Sequence, residues 1–284
     1  MKKSQSSFTA EGIALIRALE SSKPADQRVC NDPLAWQFIN PAFRVLGRFF
    51  SWYGHKRSPG VYEFLVARAR YFDDYVRACL DDGLEQLVIL GAGYDSRAYR
   101  LELLEGRVRV FEVDHPATQQ VKLAKLTKIF GSLPSHVVYV PIDFDRETLE
   151  QRLCASGYDR QLKTLFTWEG VTYYISAEAV DNTLAFVVHH SGPGSSIVFD
   201  YMYATALTTA RRRNEVNSMQ RYRRLTGEGL IFGIEEGTVE EFLSRRGFCQ
   251  IENVTAESLK QMYLGQHRCV APVYAIVHAT VKSA

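Results

Sequence analysis

A glycine turn and an acidic residue follow two apolar runs of this sequence and are the first residues with recognisable chemistry. Gly91 and Gly93 come directly after the run Leu87–Leu90, and Asp114 ends the next run, Val108–Val113. Glycine lets the chain turn sharply and lets its backbone approach a ligand closely. A carboxylate at the end of the second strand accepts hydrogen bonds from both hydroxyls of a ribose. Together these residues predict a site for a nucleoside-type cofactor.

The turn lacks the third glycine of the dinucleotide fingerprint, because Ser96 occupies that position. The missing glycine normally allows close helix–strand packing beside a pyrophosphate, so its absence argues against NAD. A glycine turn and an acidic strand end without a phosphate cradle favour S-adenosylmethionine (SAM). Two alternatives from other classes stay open. One is an NAD-dependent oxidoreductase, against which the lack of a proton-relay motif also counts, and the other is a non-catalytic nucleoside-binding module.

Alternating apolar and helical segments surround these residues and predict the sheet that must position them. Short apolar runs indicate strands, and the segments between them have the periodicity of amphipathic helices. Strands are predicted at Leu87–Leu90, Val108–Val113, Val137–Val140, Thr164–Trp168 and Ser196–Phe199, and helices at Thr118–Phe130, Arg146–Cys154 and Ala177–His189. This alternation is typical of an α/β protein with a buried, mostly parallel sheet.

Acidic residues lie at or just after the carboxyl ends of four of the five predicted strands. They are Asp114, Asp143, Glu169 and Asp200. The carboxyl ends of parallel strands meet at one edge of a sheet, where α/β proteins bind their ligands. We therefore expect the four acids to converge on one crevice, with Asp143 near the adenine edge of a bound nucleoside.

The segments outside this core have a different character. Helices are predicted at Thr9–Glu20, after the start signal Asn31-Asp32-Pro33, at Tyr62–Leu80 and at Val239–Arg246. Two apolar stretches, Cys249–Val254 and Val273–Val281, predict further strands. The second alternates partly, which indicates antiparallel pairing with a neighbour.

Several blocks of the sequence together resemble the leucine carboxyl methyltransferase family, and most closely its prokaryotic SAM-dependent branch. The glycine turn reads LGAGYDSRAYRL over 90–101, and the second strand end reads FEVDHP over 111–116. The blocks RARYFDD at 68–74, PIDF at 141–144 and WEGVTYYI at 168–175 agree with the family's pattern, as do IFGI at 231–234 and FLSRRGF at 242–248. The resemblance extends from about Thr9 to Phe248.

The resemblance implies a single domain over 1–284 with the Rossmann-like fold of class I methyltransferases. That fold has a mostly parallel seven-stranded sheet, an N-terminal helical cap and an inserted helical lid. The corresponding boundaries are 1–82 for the cap, 83–202 for the cofactor-binding core, 203–248 for the lid and 249–284 for the C-terminal strands.

The resemblance also implies roles for individual residues. The family's cofactor contacts fall on Gly91 in the turn, Asp114 at the ribose, Asp143 and Phe144 at the adenine, Glu169 near the methionine moiety and Arg68 at the methionine carboxylate. Gly93 joins this set as the second glycine of the turn. Arg70 is an alternative to Arg68, and Arg17 is either a further contact of the cofactor carboxylate or a solvated residue. No metal ligands are expected.

The implied activity is SAM-dependent O-methyl transfer to a carboxylate or hydroxyl of a small molecule. A carboxylate acceptor is already ionised and needs no general base, whereas a hydroxyl needs one. The sequence nominates no catalytic base. Tyr173 and Tyr201 are candidates to line the acceptor side. A protein C-terminal carboxylate is the alternative acceptor within the family.

Two local clusters bear on the acceptor. The basic segment at 211–224 would attract an anionic acceptor if it belongs to the lid, and is otherwise a solvated face; it contains Arg211, Arg212, Arg213, Arg221, Arg223 and Arg224. An aromatic cluster at 49–53 is either core packing or a wall of the acceptor site; it contains Phe49, Phe50, Trp52 and Tyr53.

Composition excludes several other classes of protein. The chain has 284 residues, with 34 Lys and Arg against 32 Asp and Glu, so its formal charge is +2. Near-neutral charge argues against a general nucleic-acid binder and against a membrane-surface protein. Five scattered cysteines without a C-x-x-C pair, and the lack of a secretory or membrane-spanning apolar run, favour the cytoplasm. The sequence shows no dimerisation signature.

Overall fold

Seven strands form one sheet in the described residues of the computed structural model, which cover 8–41, 43–44, 59–143, 146–208, 229–266 and 268–282. The strands are β1 Gln86–Leu90, β2 Arg109–Asp114, β3 Val137–Pro141, β4 Thr164–Trp168, β5 Ser196–Met202, β6 Phe248–Thr255 and β7 Tyr274–Val281. Their order is β3-β2-β1-β4-β5-β7-β6. Strands β1 to β5 are parallel, and β7 runs antiparallel to both β5 and β6. The predicted mostly parallel sheet is confirmed.

Helices connect the strands and cover both faces of the sheet. They are α1 Phe8–Ser21, α2 Val61–Asp81, α3 Arg97–Arg100, α4 Pro116–Phe130, α5 Leu149–Ala155, α6 Ala177–His189, α7 Ala204–Thr208, α8 Val239–Ser244 and α9 Ala256–Tyr263. Short 3₁₀ turns lie at Ala35–Phe38, Glu102–Leu104 and Thr172–Tyr174. The order of parallel strands and intervening helices matches the one expected from the sequence.

The middle strands are buried along their whole length, which explains why they read as continuous apolar runs. Alternate residues of β1 point to opposite faces. Leu87 and Ile89 pack in one core cluster with Phe72 of α2. Val88 packs in the other cluster with Leu184 of α6. The sheet is therefore covered on both faces, and α/β sheets of this kind bind their ligands at the carboxyl edge.

Strand β5 continues beyond the predicted end at Phe199. Asp200 and Tyr201 pair with Ile276 and Ala275 of β7, and this pairing extends the strand to Met202. Because successive residues of a strand point to opposite faces, Asp200 and Tyr201 face opposite sides of the sheet.

The start signal Asn31-Asp32-Pro33 leads only to the 3₁₀ turn Ala35–Phe38, so the helix predicted there is wrong. The Asp32 carboxylate is held by the Arg17 guanidinium, with 2.9 Å between Oδ2 and Nε. Pro41 lies shortly after the turn, and the residue before a proline disfavours helical geometry. Pro41 therefore limits extension of the turn beyond Asn40.

The structure describes the predicted cap and the predicted lid only in part. Helices α1 and α2 lie within 1–82, and α7 and α8 lie within 203–248. Residues 209–228 fall outside the described part of the chain. The boundaries of a cap and of a lid stay predictions.

Candidate functional site

The turn after β1 brings backbone groups to the carboxyl edge of the sheet. Gly91 has φ +65° and Gly93 has φ +40°, a region that side chains with a Cβ rarely adopt. A Cβ on Gly91 would lie 2.4 Å from Cγ2 of Val171 in the loop after β4. Gly91 is therefore required both by its backbone conformation and by the close approach of this loop.

Asp114, the last residue of β2, is tied directly to the glycine turn. Its Oδ2 accepts a hydrogen bond from the Gly93 N–H, and its Oδ1 accepts one from the His115 N–H at 2.6 Å. Burial raises the pKa of the Asp114 carboxyl, although these two hydrogen bonds oppose the shift. His115 accepts at Nδ1 from the Ala117 N–H and so caps α4. The end of β2, the turn and the start of α4 form one linked unit.

Glu169 follows β4 and joins two buried arginines. Its Oε1 lies 2.9 Å from Arg68 Nε, and its Oε2 lies 2.6 Å from Arg97 Nη1. Burial alone would raise the pKa of the Glu169 carboxyl, but the charges of Arg97 and Arg68 outweigh it and lower the pKa. Glu169 is therefore an anion fixed in position at the sheet edge.

Asp200 completes this arrangement from β5. Its Oδ2 lies 2.6 Å from Arg68 Nη1, and its Oδ1 accepts from the Gly170 N–H at 2.6 Å. The hydroxyl of Tyr173 lies 3.2 Å from Asp200 Oδ2 and 3.2 Å from Arg68 Nη1. Burial raises the pKa of the Asp200 carboxyl despite the neighbouring arginine.

The two tyrosines expected on the acceptor side lie apart. Tyr173 belongs to the cluster around Arg68. Tyr201 lies within β5 on the opposite face, and its hydroxyl donates to Asn253 Oδ1 at 3.0 Å. The structure thus brings only Tyr173 to the candidate site. The difference follows from the true end of β5, which lies beyond Tyr201.

A second buried arginine, Arg97, was not assigned a role from the sequence. It pairs with Asp73 of α2 at 2.7 Å and with Asp95 at 2.6 Å, in addition to Glu169. Arg100 also pairs with Asp73, at 2.7 Å. No local signal in the sequence could have identified these pairs, because Asp73 and Glu169 belong to segments that are distant from Arg97 along the chain.

Arg70, the alternative to Arg68, points away from the cluster. Its Nε lies 2.8 Å from Asp74 Oδ2, and its side chain is 45 % exposed. Arg17 is buried and donates from Nη2 to the Tyr94 carbonyl at 2.6 Å. This contact attaches α1 to the glycine turn, so the expectation of a solvated Arg17 is wrong.

Asp143 lies just after β3 at the expected end of the sheet. Its backbone N–H donates to Glu147 Oε2 at 3.1 Å, and its side chain is 36 % exposed at 3.8 Å from Arg146 Nε. Phe144 lies outside the described residues. The basic segment at 211–224 and the aromatic cluster at 49–53 lie outside them as well.

The described residues also limit other chemistries. They contain no group of three or more His, Cys, Asp and Glu side chains arranged to hold a metal ion. None of the helices in this part of the chain is long and apolar enough to cross a bilayer. The five cysteines are free thiols.

Asp95 should give the protein an acid-sensitive component of stability. Burial opposes its ionisation, but the charges of Arg97 and Lys122 outweigh burial and lower the pKa of the carboxyl. A carboxyl with a lowered folded-state pKa stabilises the protein above its unfolded pKa of about 3.9 and loses that contribution as the pH falls. Between about pH 5 and pH 2, the free energy of unfolding should therefore fall more steeply in the wild type than in Asp95→Asn.

Urea unfolding at several pH values measures this difference. Asp114 and Asp200 have raised pKa values. Their contributions to the pH dependence of the free energy of unfolding therefore have the opposite sign to that of Asp95. Both remain in the variant, so their contributions cancel in the comparison. If the free energy of unfolding fell equally steeply with pH in both proteins, the assignment of Asp95 as a buried anion would be contradicted.

Comparisons with known proteins identify the family of this chain. The family model for leucine carboxyl methyltransferases matches residues 10–188. YktD of Bacillus subtilis, whose name proposes a SAM-dependent methyltransferase, is 32 % identical over 213 residues, which are 75 % of this chain and 70 % of YktD. A Mycobacterium avium protein whose name proposes the same activity is 32 % identical over 258 residues, 84 % of this chain and 82 % of its own.

A solved structure supports the fold. The crystal structure of a methyltransferase candidate from Thermobifida fusca superposes with a TM-score of 0.61 at 14 % identity. The match covers 98 % of this chain and 96 % of that one. Such low identity bears on the fold alone. With the family model matching residues 10–188, the chain belongs to the leucine carboxyl methyltransferase family.

Proposed function

We propose that this protein is a SAM-dependent O-methyltransferase that acts on a carboxylate or hydroxyl of a small molecule in the cytoplasm. One observation carries the proposal: the Asp114 carboxylate is held by the glycine turn at the carboxyl edge of the sheet. Family membership and the relatives' names support the cofactor class. The free cysteines fit a reducing compartment.

The donors and acceptors at the sheet edge fit the adenosine part of SAM. Each carboxylate oxygen has about two lone pairs, and Asp114 uses one on each oxygen for a backbone N–H. The remaining pairs suit the two ribose hydroxyls. We assign Gly91 and Gly93 to close backbone contact and Asp143, with Phe144, to the adenine side.

The charged residues Glu169 and Arg68 fit the methionine part of SAM. Glu169 would bind the ammonium group. Arg68 uses Nε for Glu169 and Nη1 for Asp200 and Tyr173, and none of the described residues accepts a hydrogen bond from its Nη2. Nη2 would therefore bind the methionine carboxylate. Arg70 does not share this role, because it faces solvent beside Asp74.

When bound, SAM would supply an electrophilic methyl group carried on a sulfonium. The chain's own residues would contribute mainly alignment and the exclusion of water. Asp114 would hold the ribose and Glu169 the methionine part, from the ends of the two strands that flank β1. Arg68 and Arg97 hold Glu169 in position. A carboxylate acceptor would react without a general base.

Calorimetric titration with S-adenosylhomocysteine (SAH) tests the proposal, with NAD as a parallel ligand. The wild type should bind SAH and not NAD. Asp114→Asn should weaken SAH binding by about 1–3 kcal/mol, because it removes the charge and one acceptor oxygen at the ribose. Asp181→Asn is the matched control, since Asp181 is 52 % exposed and pairs with Arg246 on the surface.

The control should bind SAH like the wild type. Binding of NAD alone would reject the methyltransferase proposal. An unchanged SAH affinity in Asp114→Asn would reject the ribose assignment while leaving the cofactor class intact. Thermal melting of each variant without ligand distinguishes a lost contact from a lost fold.

A further inference from the structure

Lys122 of α4 is a buried cation that lies beside the glycine turn. Its side chain is 1 % exposed, and its Nζ lies 2.8 Å from Oε2 of Glu112, which is fully buried in β2. The centroid of the Tyr99 ring lies 5.4 Å from the same Nζ. Lysine is almost never fully buried unless it is paired, so the contacts of Lys122 indicate what it does there.

The second polar contact of Lys122 is with the glycine turn itself. Its Nζ donates to the Ala92 carbonyl oxygen at 3.4 Å, and the Asp95 N–H donates to the same oxygen at 2.7 Å. The other end of this peptide unit, the Gly93 N–H, donates to Asp114 Oδ2. The carbonyl and the N–H of a trans peptide point in opposite directions. Lys122 and Asp114 therefore hold the same peptide unit from its two sides.

The orientation of this peptide unit matters for the ribose site. Gly93 has φ +40° and no Cβ, so contacts rather than side-chain sterics must fix its backbone. A rotation of the peptide unit between Ala92 and Gly93 would turn its carbonyl towards Asp114, whose ionised carboxylate can only accept hydrogen bonds. Lys122 opposes that rotation, because a hydrogen bond from a charged donor is stronger than one from a neutral donor.

The charge of Lys122 also favours the ionised form of Asp114. Glu112 and Asp114 are two residues apart in β2 and lie on the same face of the sheet. Burial raises the pKa of the Asp114 carboxyl. The hydrogen bonds from Gly93 and His115 oppose this shift, and so does the charge of Lys122. An ionised carboxylate keeps acceptor positions on both oxygens, which two ribose hydroxyls require.

Building on the proposed function, we propose that Lys122 is a positioning residue for the ribose site. It fixes the peptide unit between Ala92 and Gly93, so that Asp114 is held in place for the two ribose hydroxyls. Lys122 itself would not contact the cofactor. Glu112 is the counter-ion that compensates the buried charge of Lys122.

The double variant Glu112→Gln, Lys122→Met separates positioning from stability. Lys122→Met alone leaves a buried carboxylate without its partner and should lower the urea concentration at which the protein unfolds. Removing both charges together should restore most of this loss, because replacing a whole buried ion pair is often neutral for stability. Calorimetric titration of the double variant should nevertheless show SAH binding weakened about tenfold, since the turn loses a hydrogen bond from a charged group.

Lys128→Met is the matched control, because Lys128 is exposed on the same helix. This variant should bind SAH like the wild type. Amide hydrogen exchange without ligand reports the turn directly. Residues 91–96 should exchange several-fold faster in the double variant, whereas residues 196–202 of β5 should exchange as in the wild type.

The Asp114→Asn background shows whether Lys122 acts through Asp114. Adding Glu112→Gln and Lys122→Met to this background should weaken SAH binding by less than about threefold more, because the group that Lys122 positions is already altered. A full tenfold further loss would show that Lys122 acts elsewhere and would overturn the proposal.

A wild-type SAH affinity in the double variant would also overturn it. Faster exchange in β5 as well as in the turn would show a general loss of structure and would reject the positioning role. If the wild type does not bind SAH, the proposed function fails. The exchange of residues 91–96 in the double variant then decides by itself whether Lys122 fixes the turn.

Discussion

Arg68→Met is expected to lower the free energy of unfolding by about 3–5 kcal/mol, because it leaves buried carboxylates without their partner. Arg68 is 1 % exposed and contacts Asp200, which is fully buried, and Glu169. Methionine keeps much of the volume and removes the charge. Arg70→Met provides a matched control two residues along the same helix. Arg70 is 45 % exposed, and its pair with Asp74 is screened by solvent, so its loss should cost less than about 0.5 kcal/mol.

Urea unfolding of both variants at neutral pH measures the contrast. If the loss in Arg68→Met comes from the uncompensated charge, adding Asp200→Asn should restore part of the stability. The double variant should therefore be more stable than the sum of the two single effects predicts. Similar stabilities of Arg68→Met and Arg70→Met would refute the view that Arg68 anchors the site.

Gly91→Ala is expected to destabilise the protein by about 2–5 kcal/mol for two separate reasons. A residue with a Cβ costs about 1–2 kcal/mol in the left-handed region, where Gly91 lies at φ +65°. The added Cβ would also lie 2.4 Å from Val171 Cγ2, and overpacking adds about 1–3 kcal/mol. The turn should shift, and SAH binding should weaken with it.

Two further variants separate these causes. Gly83 has φ +80°, and a Cβ added there would meet no atom within 4 Å, so Gly83→Ala reports the backbone cost alone. Combining Gly91→Ala with Val171→Ala removes the clash and should recover the packing part, as shown by a favourable coupling energy between the two sites. Equal effects of Gly91→Ala and Gly83→Ala would mean that the contact with Val171 is unimportant.

Much of the core could be predicted because its signals are local. The runs that form β1 to β5 are short and apolar, and the predicted strand positions agree with the structure to within a few residues. Gly91 and Asp114 follow these runs directly, so the parallel sheet brings them to one edge. Family blocks identified Arg68 and Glu169, which lie in contact although 101 residues separate them.

The remaining features depend on contacts between distant segments. Arg97 forms several buried ion pairs because α2 places Asp73 beside it and the loop after β4 places Glu169 beside it. No pattern in the local sequence predicts ion pairs between segments that are distant along the chain. The wrong expectation for Tyr201 arose in the same way, since pairing with β7 extends β5 beyond Tyr201 and places the tyrosine within the strand.

The position of β7 has a consequence for how the protein is made. This strand comes after the others in the sequence, yet it lies between β5 and β6 and pairs with both. During translation, one edge of β5 stays unpaired until residues 274–281 have left the ribosome, and Asp200 lies on that edge strand. Contacts so distant along the chain form late and slowly. Proteolytic loss of this strand would therefore open the interior of the sheet beside Asp200 rather than shorten an edge.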